Sequence, residues 1–306
     1  MMLDLAIIGA GPAGLSAAMY AIRKGIHFCV FSEDIGGKTN YSLNVEDMEE
    51  YKIIKAKEIV GVYRGRLEYL DHLYRHGRIV AVAPEGNGFS LEFVTKSGES
   101  EPVSAANVLV ATGSRPQFLG VPGEKKFIGR ALGYSSISYS HFFPDKTVFV
   151  VGNTDRALRA AAELSVQAAE VILAIEPNAS YETAFREHVE SSENIHVIEN
   201  ATVVEFLGGA FAEEVVISVG ANRQVIRADG FFVERDPVPC SESVEKIVEC
   251  DATKHIVVDA RCRTSYPGIF AAGDVTNVGL EQILVSLGEG AKAVLGAYDR
   301  IVQARE

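Results

Sequence analysis

"LAIIGAGPAGLSAAMY", residues 5–20, decides the fold. An apolar run, Leu5 to Ile8, meets glycines spaced Gly9-x-Gly11-x-x-Gly14, and a small-residue amphipathic stretch follows. That order predicts a buried parallel strand, a tight turn and a helix. Gly9 permits the turn, Gly11 lets the backbone approach a pyrophosphate, and Gly14 lets the helix pack close to the strand. Pro12 and Ala13 complete the turn and open the helix. A pyrophosphate would rest on the free N–H groups there, where the helix dipole favours negative charge. "HFCVFSE" (27–33) then reads as a second strand. Glu33 at its end, rather than Asp34, is placed to accept hydrogen bonds from adenosine ribose hydroxyls.

A second stretch, "VFVVGNTDRALRAAAEL" (148–164), has the same outline with one part altered. Gly152 still allows a turn and Ala157 still allows close helix packing, but Thr154 stands where the middle glycine belongs. Its branched side chain occupies the place where backbone should touch phosphate. Asp155 adds negative charge, which at about 4 Å and an effective dielectric of about 20 repels one phosphate charge by about 4 kcal/mol. Arg156 offsets part of this. The following strand, "EVILAIE" (170–176), ends in Glu176-Pro177, and nothing basic appears before Arg186. The second unit therefore reads as a scaffold without an ordinary NADPH site.

Two βαβ starts imply an α/β chain with two Rossmann-like domains of the three-layer ββα kind. "RIVAVAP" (78–84), "FSLEFVT" (89–95) and "NVLVATG" (107–113) follow the first unit as strands. "IHVIEN" (195–200), "ATVVEFL" (201–207) and "EVVISVG" (214–220) follow the second. Their alternation suggests small antiparallel sheets. "GSRPQFLGVPGEKKF" (113–127) and "ERDPVPCSES" (234–243) mark crossings between domains. The last part has no βαβ unit of its own, so it must complete the first domain. Residues 1–117 and 241–306 are expected to form the first domain, with 118–240 inserted.

The chain has 306 residues, 47% of them hydrophobic and 23% charged, with a net charge of −12. That balance suits a soluble enzyme and argues against nucleic acid or an anionic membrane surface as partner. No apolar run reaches the ~20 residues of a membrane span, and the N-terminus lacks signal-peptide features, so a cytoplasmic location is expected. The four cysteines, Cys29, Cys240, Cys250 and Cys262, form no C-x-x-C and have no metal-ligand spacing. Cys29 reads as a core residue, and reduced thiols are expected throughout, although Cys240 and Cys250 are near enough in sequence to meet.

"VLVATGSRP" (108–116) and "TSYPGIFAAGDV" (264–275), with the opening motif, resemble the two-dinucleotide-binding-domain flavoproteins. The inserted-domain layout and "ATGSRPQFLGVPGEKKFIGRAL" (111–132) bring the resemblance closer to low-molecular-weight thioredoxin reductases and thioredoxin-reductase-like ferredoxin–NADP reductases. The resemblance implies bound FAD, with Ala111, Thr112 and Gly113 passing near it and Asp274, after Gly273, on the ribityl chain. It places Gly37 and Lys38 of "GGK" beside the flavin. Glu281, Gln282 and Ile283 match the start of a helix aimed at the pyrimidine end of the isoalloxazine, where its dipole would stabilise negative charge on reduced flavin. A homodimer is expected on the same ground.

A thioredoxin reductase also needs a redox C-x-x-C, and the matching stretch here is "ALGYSSISYSHFFPDK" (131–146). Either Ser135 and Ser138, or Ser136 and Tyr139, occupy the cysteine positions. No cysteine occurs between Cys29 and Cys240, and a serine hydroxyl forms no disulfide. His141 is a possible proton donor, and Tyr41 and Tyr134 are possible flavin neighbours, though packing roles are the simpler reading for all three. The leading expectation is an FAD-dependent oxidoreductase reduced by an electron-carrier protein of ferredoxin or flavodoxin type, or by another cofactor. The alternatives are a non-catalytic flavin-binding redox sensor, or an NADH-dependent flavin reductase passing electrons to a carrier or quinone.

Overall fold

The strand–turn–helix starts predicted around Gly9 and Gly152 are present, each built into its own layered unit. The computed structural model describes residues 2–40, 43–45, 56–181 and 183–304. One unit comprises residues 2–40, 56–115 and 238–304, and the other 43–45 and 116–237 apart from 182. The seams lie two or three residues before those drawn from the sequence. The segment 43–45 belongs with the second unit because its backbone is bonded there. Asn44 N–H donates to the Gly129 carbonyl at 2.9 Å, and Ala131 N–H donates to the Asn44 carbonyl at 2.8 Å.

In chain order the first unit begins with β1 (Leu5–Ile8), α1 (Pro12–Lys24), β2 (Phe28–Ser32), α2 (Ala56–Tyr69), β3 (Tyr74–Glu85), β4 (Gly88–Thr95), β5 (Ser100–Ala105), β6 (Val108–Val110) and β7 (Ser114–Arg115). The second unit contains α3 (Glu124–Phe127), β8 (Leu132–Gly133), β9 (Thr147–Gly152), α4 (Asp155–Ser165), β10 (Glu170–Ile175), α5 (Thr183–Ser191), β11 (Ile195–Ile198), β12 (Ala201–Leu207), β13 (Glu214–Val219), β14 (Asn222–Arg227) and β15 (Gly230–Val233). The chain returns to the first unit through β16 (Val238–Pro239), β17 (Ile269–Ala271) and α6 (Ile283–Gln303).

The first unit holds a seven-stranded sheet in the order β17-β6-β1-β2-β3-β4-β5. Alternation along β1 buries both faces, as a covered parallel strand requires. Leu5 and Ile7 enter a core with Leu15 of α1, Leu67 of α2 and Val294 of α6. Ala6 and Ile8 enter a second core with Phe89, Leu91 and Phe93 of β4. Each large side chain so buried contributes about 1.5–3 kcal/mol. The sequence suggested a separate small antiparallel sheet here, but β3 belongs to both parts. It pairs parallel with β2 over Tyr74–His76 and antiparallel with β4 from Gly77 onward. Helix α1 stops at Gly25, whose left-handed backbone (φ +62°) lets its own N–H donate to the Ile22 carbonyl and the Ile26 N–H to the Ala21 carbonyl.

The second unit repeats the plan. Its five-stranded sheet runs β11-β10-β9-β15-β8, and a separate three-stranded antiparallel sheet, β12-β13-β14, covers one face. Val148 and Val150 pack with Leu158, Leu164 and Val189 on the helical side. Phe149 and Val151 pack with Phe206, Val215 and Ile217 under the small sheet. Both units are thus three layers deep. Among the described residues no helix is long and apolar enough to cross a membrane.

Candidate functional site

In the first turn two of the three glycines have a steric reason within the protein. Gly9 has φ +104°, and a Cβ there would lie 2.3 Å from the Ala111 carbonyl oxygen. At Gly14 a Cβ would lie 1.9 Å from the Gly9 carbonyl oxygen, so the helix can approach its own strand only without a side chain. Gly11 is different, because a Cβ there would meet nothing within 4 Å. Its backbone is ordinary (φ −72°), and it caps α1 without a side-chain hydrogen bond, with Pro12 next. What the sequence holds open at Gly11 is space outside the protein, at the positive end of a 13-residue helix. Ala13 is buried where α6 crosses α1, and a Cβ at Gly290 would lie 2.0 Å from its carbonyl oxygen.

The remaining predicted residues of this unit gather around that turn. Gly37, in the left-handed region, passes so near Gly11 that its own Cβ would sit 3.3 Å from the Gly11 Cα. Asp34 is occupied structurally, accepting the Gly37 N–H at 2.9 Å. Glu33 is exposed at the end of β2. Ala111 N–H bonds to the Ile8 carbonyl at 2.8 Å, which fixes the 111–113 turn beside β1. Thr112 Oγ1 donates to the Cys240 carbonyl at 2.6 Å, and Cys240 N–H donates to the Gly113 carbonyl at 2.9 Å. Space is open beside Gly113 as well.

Lys38, Asp274 and Glu281 form one ionic cluster. Lys38 Nζ lies 2.6 Å from Asp274 Oδ2 and 2.5 Å from Glu281 Oε1, and donates to Ser114 Oγ at 2.9 Å. Ser114 Oγ in turn donates to Glu281 Oε1 at 2.8 Å, and Ser286 Oγ to Asp274 Oδ1 at 3.2 Å. Burial lowers the lysine's proton affinity, but the two carboxylates outweigh it and its pKa is raised. Gln282 is the exposed N-cap of α6, and the half-buried Ile283 packs against the α1 core.

Sequence reasoning named Glu281 only as part of a helix start and missed Ser114, Ser286 and Glu289. Glu289 is buried and accepts the Gly273 N–H at 2.8 Å, holding the 273–274 turn, and burial raises its pKa. A signal existed in α6. Ser286, Glu289, Gly290 and Ala293 recur at helical spacing on its buried face, and two polar residues on such a face call for partners.

Side chains of the second turn are bonded to the 234–236 segment. Thr154 Oγ1 donates to Asp236 Oδ1 at 3.0 Å, and Arg156 Nε to Glu234 Oε2 at 2.8 Å. Glu234, 1% exposed, also accepts the Ser136 N–H at 2.5 Å. Arg235 grips Glu176 through both its Nε (2.8 Å) and a terminal nitrogen, and donates to the Phe118 carbonyl at 3.2 Å. The sequence showed no cation near Glu176. Arg235 arrives there from the end of β15, a neighbour of β9 in space only. Gly152 is packed, since a Cβ there would lie 2.3 Å from the Glu234 carbonyl oxygen and 2.7 Å from Ala157 Cβ.

In the 131–146 stretch, the Ser135 and Ser138 hydroxyls lie 3.2 Å apart, while Ser136 is fully buried with its Oγ unpartnered. His141 stacks edge-on against Phe142 and has its pKa lowered by burial. Tyr134 donates to the buried Glu124 at 2.9 Å, and burial with that carboxylate raises its pKa. Tyr41 lies outside the described residues. All four cysteines are free, and burial raises the pKa of each, those of Cys29 and Cys262 to about 11. Among the described residues no group of three or more His, Cys, Asp or Glu is placed to hold a metal.

Two Rossmann-type units, one with an open glycine turn at a helix N-terminus, define an α/β protein of the two-unit kind. The profile of the pyridine nucleotide-disulphide oxidoreductases matches residues 3–290, and the chain belongs to that family. A subunit of alkyl hydroperoxide reductase from Pseudomonas putida is 31% identical over 307 residues. That alignment covers 98% of this chain but only 58% of the relative, so the chain spans less than two thirds of that protein's length. Thioredoxin reductase from Streptococcus pyogenes superposes with a TM-score of 0.87 at 27% identity, covering 99% of each chain. A ferredoxin-flavin thioredoxin reductase from Clostridium acetobutylicum gives a TM-score of 0.52 at 25% identity, covering 100% of this chain and 99% of that one.

Proposed function

We propose that the chain is an FAD-dependent oxidoreductase that receives electrons from a carrier protein or another cofactor. On this reading it uses neither a C-x-x-C dithiol nor an ordinary NADPH site. The observation that carries this reading is the contrast between the turns. Space is open beside Gly11 and Gly113, whereas Thr154, Arg156 and Glu176 are each bonded to the 234–236 segment. The first turn fits FAD because its helix-terminal N–H groups and the uncrowded Gly11 backbone suit a pyrophosphate. Glu33 would take the adenosine ribose, Asp274 the ribityl hydroxyls, and the 111–113 turn and the α6 N-terminus would flank the ring. When bound, FAD supplies the capacity to accept and release electrons, and the protein's part is to orient it and set its electrostatics.

A carrier-protein donor fits two further facts. The sequence has no cysteine between Cys29 and Cys240. A structural relative named a ferredoxin-flavin thioredoxin reductase shares the fold. The formal charge of −12 works against an acidic carrier unless it docks on a locally basic surface. We propose a homodimer as the assembly. The test is anaerobic mixing of purified protein with NADH, NADPH, reduced ferredoxin and reduced flavodoxin while flavin absorbance is followed. Bleaching by a reduced carrier and not by either nucleotide is the expected result. Rapid bleaching by NADPH overturns the donor assignment, rapid bleaching by NADH supports the nucleotide-dependent alternative, and resistance to every donor supports a sensing role.

A further inference from the structure

Among the residues around the first turn, Lys38 stands out because nothing in the backbone geometry requires a cation there. The turn at 36–40 depends on its glycines and on Asp34, while the lysine side chain extends to three other segments. Those segments are β7 at Ser114, the turn after β17 at Asp274, and the start of α6 at Glu281. Asp274 and Glu281 side chains are 12% and 20% exposed, so their attraction to Lys38 acts partly through protein rather than bulk water. The cluster carries one positive and two negative charges. A fixed cation favours whichever redox state of a neighbouring group carries more negative charge, and a fixed anion disfavours it.

We propose that Lys38 sets the reduction potential of the flavin held by this unit, raising it, while Glu281 acts against Lys38 and lowers it. This inference rests on the FAD reading above and adds a role for a charge pair that FAD binding alone does not need. Asp274 and Ser114 hold the lysine, whose own side chain is 38% exposed, by direct hydrogen-bond and ionic contact, so its charge keeps a defined place in the cluster.

The test is to measure the midpoint potential of flavin-loaded wild type, Lys38→Met, Lys38→Arg and Glu281→Gln by equilibration with a reference dye, after flavin stoichiometry has been recorded for each. Lys38→Met is expected to shift the oxidised–reduced equilibrium about tenfold toward the oxidised form, which is about 30 mV for a two-electron couple. Lys38→Arg should restore most of that shift, and Glu281→Gln should move the potential in the opposite direction. Should Lys38→Met purify without flavin, Glu281→Gln decides alone. A raised potential supports the inference, and an unchanged or lowered one overturns it. A yellow wild type whose variants share its potential removes this inference and leaves the FAD reading standing. A wild type that stays colourless with excess FAD removes both.

Discussion

Beside Gly11 the first turn faces open space, whereas the matching turn after β9 is crossed by Thr154–Asp236, Arg156–Glu234 and Arg235–Glu176 contacts. Both turns join a buried strand to an Ala-rich helix, and both use a glycine that tolerates no Cβ. The difference lies in what surrounds the backbone. In the first unit the nearby charges, Lys38, Asp274 and Glu281, pair with one another and leave the helix terminus alone. In the second, three consecutive residues, Glu234, Arg235 and Asp236, supply the partners that tie the turn down. The same strand–turn–helix start thus sits in two different settings, one open beside its middle glycine and one with its side chains bonded to a neighbouring segment.

The comparison breaks most severely at Gly14. Gly14→Ala would put a methyl 1.9 Å from a backbone oxygen, so α1 must move off β1. A loss of about 3 kcal/mol is expected, visible in chemical denaturation together with a sharp fall in flavin content. Gly11→Val separates folding from binding, because its side chain enters empty space at an ordinary φ. Stability should change by less than about 0.5 kcal/mol, while FAD affinity, followed by flavin fluorescence quenching, should fall about a hundredfold, near 2.7 kcal/mol.

In the second unit the expected pattern reverses, with a stability cost and no change in FAD content. Arg235→Ala leaves the buried Glu176 without its bidentate partner and should cost about 2 kcal/mol, leaving FAD stoichiometry intact. The smallest effect concerns the thiols. Burial raises the Cys29 pKa to about 11 from an ordinary 9, although Arg75 lowers it somewhat. The stability that this group contributes is present below pH 9 and is lost as pH rises through about 11. The melting-temperature advantage of wild type over Cys29→Ala should therefore shrink between about pH 8 and pH 11.

Much of the first site was legible because its signals are local. The spacing of Gly9, Gly11 and Gly14 states three demands within six positions, and the structure shows those of Gly9 and Gly14, where a Cβ would strike backbone. The unbroken apolar runs of β1 and β9 implied buried strands, and both are buried on both faces. What stayed hidden depends on neighbours distant in the chain. Arg235 reaches Glu176 only because β15 lies beside β9, and no spacing rule announces that register. Lys38 looked like one residue of a flavin-side turn, yet its partners come from Ser114, Asp274 and Glu281. No local pattern signals that residues 43–45 pack with the second unit, since two backbone hydrogen bonds decide it. β14 escaped notice because its residues are mostly exposed and lack alternation.

The difference between the two turns is tested most directly by equilibrium titration of flavin-stripped protein with FAD and, separately, with NADPH. The predicted result is saturation at one FAD per chain, with no saturable NADPH binding at concentrations where FAD is complete. Failure to take up FAD, or NADPH binding of comparable strength, would contradict it.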